Sequence, residues 1–158
     1  MSTEAVVGIS SKVKVLSRQD LEDHDFSADL MFMIRQYVKD ASDFTATPEE
    51  AWTMIRDCVM NGDLDALLIA YIPERKPMGF MFCHMKESST TAIIHSALML
   101  PGPENKLVMG QALLMFERWA RFRGAKKARF FTFRVPGAHK MMLAKSWKHE
   151  ITIYGKEL

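Results

Sequence analysis

The chain has only two cysteines in 158 residues, Cys58 and Cys83. Two thiols cannot build a disulfide framework, and their spacing suits no metal site. Both are expected to be free, Cys58 within a helix and Cys83 on a strand. Long apolar runs are also missing. None reaches the roughly 18 residues needed to cross a bilayer, so no membrane role is expected. The N-terminus, MSTEAVVGISSKVKV, lacks the basic start and long apolar stretch of a secretory leader, which sets a cytoplasmic location as the expectation. There is no Walker loop, no dinucleotide fingerprint and no nucleophile elbow. His139 and His149 have no carboxylate or thiol at ligand spacing, which argues against a zinc site.

What is present fits one ordinary globular domain over residues 1–158, with 1–11 expected to be flexible. Apolar residues make up 48% and charged residues 25%. The net charge of +2 conceals a polarity: residues 1–100 carry 9 Lys and Arg against 15 Asp and Glu, whereas residues 101–158 carry 12 against 4. A basic half of this kind suits an acidic protein or nucleic-acid partner, or a solvated face built on Arg118, Arg121, Lys126, Lys127, Lys145 and Lys148. The run Lys126–Arg134 interleaves bases with Phe130, Phe131 and Phe133. It reads either as a stacking surface for single-stranded nucleic acid or as a buried strand with basic flanks. Thirteen methionines, unusual for this length, fall mostly at apolar positions and are expected as core filling. Assembly into homo-oligomers stays open.

Patterning gives the elements. Lys12–Leu16 alternates as a short strand, and Asp20–Asp25 reads as an acidic loop. Leu30, Met33, Ile34, Tyr37 and Val38 recur at helical spacing over Ser27–Asp40. Thr47-Pro48-Glu49-Glu50 is a capping box with proline in the first turn, and it opens a helix carrying Trp52, Ile55 and Val59 on one face. Asn61-Gly62 stops it in a left-handed turn. Strands follow at Ala66–Tyr71, Met78–Met85 and Thr91–Leu100, separated by polar turns. Pro101-Gly102-Pro103 breaks the last of these, and one long helix runs from Asn105 to Arg123. A strand at Ala128–Phe133, a helix near Pro136 and a strand at Glu150–Tyr154 complete an α/β (α+β) domain. The order is β-α-α-β-β-β-α-β-α-β, with a mixed, mostly antiparallel sheet.

The stretch from Thr91 to Phe133 carries the chemistry. A helix launched directly after a strand presents its unpaired N–H groups, and the positive end of its dipole, beside the strand end. That is a seat for an anion, typically a phosphate. The alternative is a plain turn at Pro101-Gly102-Pro103 with Gly110 present only for close packing.

The order of elements, and the segment Asn105-Lys106-Leu107-Val108-Met109-Gly110 followed by Gln111-Ala112-Leu113-Leu114, resemble the GCN5-related N-acetyltransferases over roughly Val13 to Tyr154. In that family an Arg/Gln-x-x-Gly-x-Gly/Ala segment opens the long helix, and its amides cradle the pyrophosphate of acetyl-CoA. Here Gly110 matches the last position, while Asn105 and Val108 depart from the first and from the earlier glycine. The resemblance implies acetyl-CoA as cofactor, held by residues 105–110, and an N-acetyltransferase acting on an amine. The β-branched Val108 is expected to narrow the approach of a phosphate. The acyl group is expected against the backbone of Leu98, Met99 and Leu100, whose amides would polarise its carbonyl. The tyrosine acid common in the family has no counterpart in AHKMMLAKSW, where His139 or Ser146 would have to donate. His139 is the first candidate for proton transfer and His95 the second. His84, and Glu87 through a water, are further candidate bases. Strand alternation is expected to put His95 on the same face as Ala97. Losses of this kind are also similar to small bacteriophage proteins of the same fold, some linked to virion assembly. That implies a second possibility, a non-catalytic binding or assembly module.

Overall fold

A computed structural model describes residues 12–40, 46–100 and 105–130. The N-terminal eleven residues, His139, the helix near Pro136 and the strand at Glu150–Tyr154 lie outside the described residues. Among the described residues, five strands form one sheet in sequence order: β1 Val13–Val15, β2 Ala66–Tyr71, β3 Gly79–His84, β4 Thr91–Met99 and β5 Lys127–Phe130. The first three pairings are antiparallel, and β4 to β5 is parallel. Among the same residues, four α-helices accompany them: α1 Arg18–Glu22, α2 His24–Asp40, α3 Pro48–Met60 and α4 Asn105–Phe122.

The acidic stretch read as a loop is a helix and two caps. Asp20 accepts from the Ser17 backbone N–H at 2.8 Å and from the Ser17 hydroxyl at 3.1 Å, which starts α1. Asp23 then accepts from the N–H groups of Asp25 and Phe26, at 3.1 and 3.2 Å, and starts α2. Carboxylates that look solvated in the sequence are here spent on helix N-termini, where the dipole favours them. Lys14 on β1 donates to Asp20 at 2.7 Å and ties the first strand to this corner. The expected box at Thr47 and Glu50 is present in both directions, at 3.2 and 2.8 Å. Gly62 takes the left-handed conformation that ends α3.

Alternation along the strands divides the core in two. Leu67, Ile69, Met81, Cys83, Ala92 and Ile94 face α4, whose Ala112, Leu113, Phe116 and Ala120 cover them. Leu68, Ala70, Phe80 and Phe82 face the other way, under Leu30 and Ile34 of α2 and Trp52 and Ile55 of α3. The sheet is therefore covered on both faces, as a strand with apolar residues at consecutive positions requires. Cys83 is fully buried and Cys58 half-buried in α3, both as free thiols. Met33, Met81 and Met85 are core residues, as expected. Among the described residues, no helix is long and apolar enough to cross a membrane.

The ends of α4 are fixed differently. At its C-terminal end, Arg123 reaches back to the turn before β2: it donates to the Leu64 carbonyl, pairs with Asp65 and lies 3.4 Å from the Met85 carbonyl. Its guanidinium also sits 5.6 Å from the centre of the Trp119 ring. At its N-terminal end the helix stands over the ends of β2, β3 and β4.

Candidate functional site

Where β4 ends and α4 begins, a cleft opens between the sheet and the first turns of the helix. Gly79, Leu98, Met99, Val108, Met109 and Ala112 are among its lining. Gly79 is placed there by necessity: a β-carbon at this position would lie 2.9 Å from the Leu98 carbonyl oxygen and 3.0 Å from the Met99 sulfur. The close approach of β3 to β4 at this corner requires glycine.

The first turn of α4 carries no acidic side chain. Lys106 and Leu107 are exposed on it, and the helix geometry leaves its first N–H groups without intrahelical partners. Gly110 is half-buried one turn on. Val108 corrects one expectation. Its side chain is only 3% exposed and lines the cleft, so it belongs to the packing between α4 and the sheet and does not screen the outer approach to the helix end.

The expectation for Leu98, Met99 and Leu100 is corrected as well. The Leu100 N–H donates to the Met78 carbonyl at 2.9 Å. Its amide is committed to the edge of β3. In an antiparallel ladder such pairs alternate, so Leu98, opposite Phe80, is also turned toward β3, and Met99, opposite Gly79, has its N–H on the other side. Met99 is thus the one of the three whose amide faces away from β3, toward the side on which β5 lies. The described pairing of β4 with β5 covers Thr91–Ile94 and Lys127–Phe130. Phe131–Arg134, which follows β5 in the chain, lies outside the described residues.

β4 also departs from regular alternation. Ser96 is opposite Phe82 and Ile94 is opposite Cys83, so His95 is an extra residue, a β-bulge. The extra residue turns its side chain over. Ala97 packs against the α4-side core, but the His95 ring lies 6.2 Å from Phe82 and 5.9 Å from His84, on the α2–α3 side. His95 and Ala97 therefore do not share a face. His95 is exposed, yet its surroundings hold its pKa below the ordinary histidine range, first through partial loss of water around the ring and then through the nearby His84. Glu87 is in the exposed turn before Thr91, at the opposite end of β4 from α4. At a strand rise of about 3.3 Å per residue it is more than about 25 Å along the strand from Met99, which removes it as a base for that cleft.

The basic residues Arg118, Arg121, Lys126 and Lys127 are all exposed, and Arg121 lies 3.7 Å from Glu117. One buried group was not anticipated. Gln111, on the second turn of α4, is 5% exposed, and neither its side-chain nitrogen nor its oxygen has a hydrogen-bond partner among the described residues. No group of three or more potential metal ligands occurs among the described residues.

No protein-family model and no curated protein matches the sequence. Solved structures do match the fold. The chain is similar to aminoglycoside N-acetyltransferase AAC(6')-Iy bound to a bisubstrate analogue, CoA-S-monomethyl-acetylneamine, with TM-score 0.67 and 14% identity, covering 92% of this chain and 97% of that one. It is similar to AAC(6')-Ih from Acinetobacter baumannii, with TM-score 0.65 and 12% identity, covering 92% and 97%. A soil metagenomic aminoglycoside acetyltransferase crystallised with sisomicin matches with TM-score 0.62 and 11% identity, covering 93% and 95%. The fold is that of the GCN5-related N-acetyltransferases.

Proposed function

We propose that the protein transfers an acetyl group from acetyl-CoA to an amine in a direct ternary complex. The observation that carries this reading is the cleft at the β4–α4 junction, where a first helical turn without acidic side chains stands beside the Met99 amide that faces away from β3. The residues suit the cofactor: the N–H groups of residues 105–108 and the Lys106 ammonium would hold its pyrophosphate, and Leu98, Met99 and Met109 would line the thioester arm. When bound, acetyl-CoA supplies a thioester: the bond from amine nitrogen to acetyl carbon forms as the carbon–sulfur bond breaks, one ammonium proton going to a base and a second to sulfur. The Met99 N–H would donate to the acetyl oxygen, where negative charge gathers.

His95 takes the first ammonium proton in this reading, leaving the amine's electron pair free. It lies on the sheet face opposite α4, so acceptor and cofactor would approach from different sides. The acidic first hundred residues suit a cationic amine, and an aminoglycoside such as sisomicin belongs in the acceptor panel because fold neighbours act on that class. The proton donor to sulfur, with His139 as the first candidate, remains part of the proposal, as does a cytoplasmic location.

Calorimetry with acetyl-CoA tests the reading before any acceptor is known. A micromolar dissociation constant, about −8 kcal/mol, that weakens in Lys106→Ala is the expected result. No heat at millimolar ligand would discard the enzyme and leave a binding or assembly module on the same fold. Binding without acetylation of any amine in a broad panel would assign the chain's work to its surface.

A further inference from the structure

Two imidazoles meet on the α2–α3 face of the sheet only because β4 is bulged. His84 ends β3 on the same face as Phe82, two residues earlier. In a regular ladder, His95 would share the face of Ala97 and point toward α4, away from His84. The extra residue reverses it, and the ring centroids come to 5.9 Å with an interplanar angle of 57°. Phe82 stands against the same ring at 6.2 Å.

We propose that His84 is a positioning residue for His95: across the bulge its ring stands against the His95 imidazole and keeps it neutral and ready to accept a proton at neutral pH. Two cations this close disfavour each other, and the apolar Phe82 beside them thins the water that would screen the repulsion. Among the described residues, His84 is the titratable side chain whose ring lies against that of His95. Arg129 of β5 stands at the register of Ile93, two positions along the strand, and the helical layer meets this side of the sheet through Phe80 and Phe82. The use of the proton rests on the acetyl-transfer reading: it leaves the acceptor ammonium for an imidazole nitrogen of His95 and passes from there to solvent. The pairing itself does not depend on that reading.

Nuclear magnetic resonance of the histidine rings in the full chain, titrated from about pH 5 to pH 8, separates the two ideas. The wild-type protein should show a low His95 midpoint. That midpoint should move upward in both His84→Gln and His84→Phe, the first keeping a polar side chain and the second an aromatic ring. With an acceptor in hand, the acidic limb of the acetylation rate should move upward in the same variants. Two rings that titrate independently in the wild-type protein would overturn the pair without any variant, as would a His95 midpoint that ignores both substitutions. A coupled pair in a protein that acetylates nothing would overturn the acetyl-transfer reading alone.

Discussion

Gly79 and the Leu98 carbonyl approach so closely that a single added carbon would sit 2.9 Å from the oxygen. The contact joins β3 to β4 at the floor of the cleft, so it links the packing of the sheet to the room left beneath α4. Gly79→Ala should therefore force the strands apart or drive the Met99 side chain into the cleft. Overpacking of this kind costs about 1–3 kcal/mol. Chemical denaturation should show that loss, together with weaker acetyl-CoA binding. An unchanged midpoint and unchanged affinity would show that Met99 yields freely and that the cleft does not depend on this glycine.

Arg123 makes contacts that no local pattern announces. It joins the end of α4 to Asp65 and Leu64, about sixty residues earlier in the chain, and is itself mostly covered. Removing one member of a largely buried pair leaves the other charge without its partner. Arg123→Leu should cost about 2–3 kcal/mol, and Asp65→Asn less, because the amide still accepts from the guanidinium. A double variant no worse than Arg123→Leu alone would locate the energy in this pair. Additive losses would assign it to the Trp119 stacking and the carbonyl contacts.

Most of the architecture was legible in the sequence because it depends on local signals. The Ala66–Tyr71 strand, the box at Thr47 and Glu50, the glycine stop at Gly62 and the long helix from Asn105 are all set by neighbouring residues. Two features were not. The helix Arg18–Glu22 was hidden because Asp20 and Asp23 read as solvated charge, whereas each caps a helix in space. The bulge at His95 depends on how β3 pairs with β4, and no property of TTAIIHSALML alone marks it. The candidate site suffers most from that. One unpaired residue decides which face a histidine occupies, and the hydrogen bond from Leu100 to Met78 decides which amide is available.

Gln111 is buried, and both ends of its amide lack a partner among the described residues. An unpaired buried polar group costs about 1–3 kcal/mol, and an apolar side chain of similar shape removes that cost. Gln111→Leu should therefore raise the unfolding free energy of the ligand-free protein by about 1 kcal/mol or more, read as a higher denaturation midpoint. A fall would mean that the amide has a partner in solution, such as a buried water. Repeating the measurement with saturating acetyl-CoA extends the result: a gain that vanishes with ligand would show that the ligand supplies the partner.

The His95 environment also predicts a pH dependence of stability. Its pKa in the folded protein is depressed, by partial loss of water and then by His84. The unfolded chain therefore binds a proton more readily than the folded one. Stability should hold above the ordinary histidine range, about 6.5, and decline as pH falls through it. Asp20 shifts the same way at lower pH. Burial alone would raise its pKa, but hydrogen bonds from Lys14 and Ser17 outweigh this and lower it, so its contribution fades only as the solution becomes acidic enough to protonate carboxylates. Denaturation between about pH 7.5 and 5.5 isolates the histidine effect. The midpoint should drop across that window in the wild type and drop less in His95→Gln. Equal slopes would mean that another group carries the change.

Val108 decides between two accounts of the departure at the helix start. If its β-branched side chain obstructed an arriving phosphate, Val108→Gly would tighten acetyl-CoA binding at little cost. The side chain is instead buried against the sheet and lines the cleft beside Met109 and Ala112. Losing three buried carbons and placing glycine within a helix should together cost about 2–3 kcal/mol. The same deletion enlarges the cleft below the helix without freeing the outer N–H groups, so acetyl-CoA affinity should stay level or fall. Calorimetry on the folded fraction, beside a denaturation curve, checks both. Tighter binding with unchanged stability would mean that Val108 faces the ligand, and the packing argument would have to be given up.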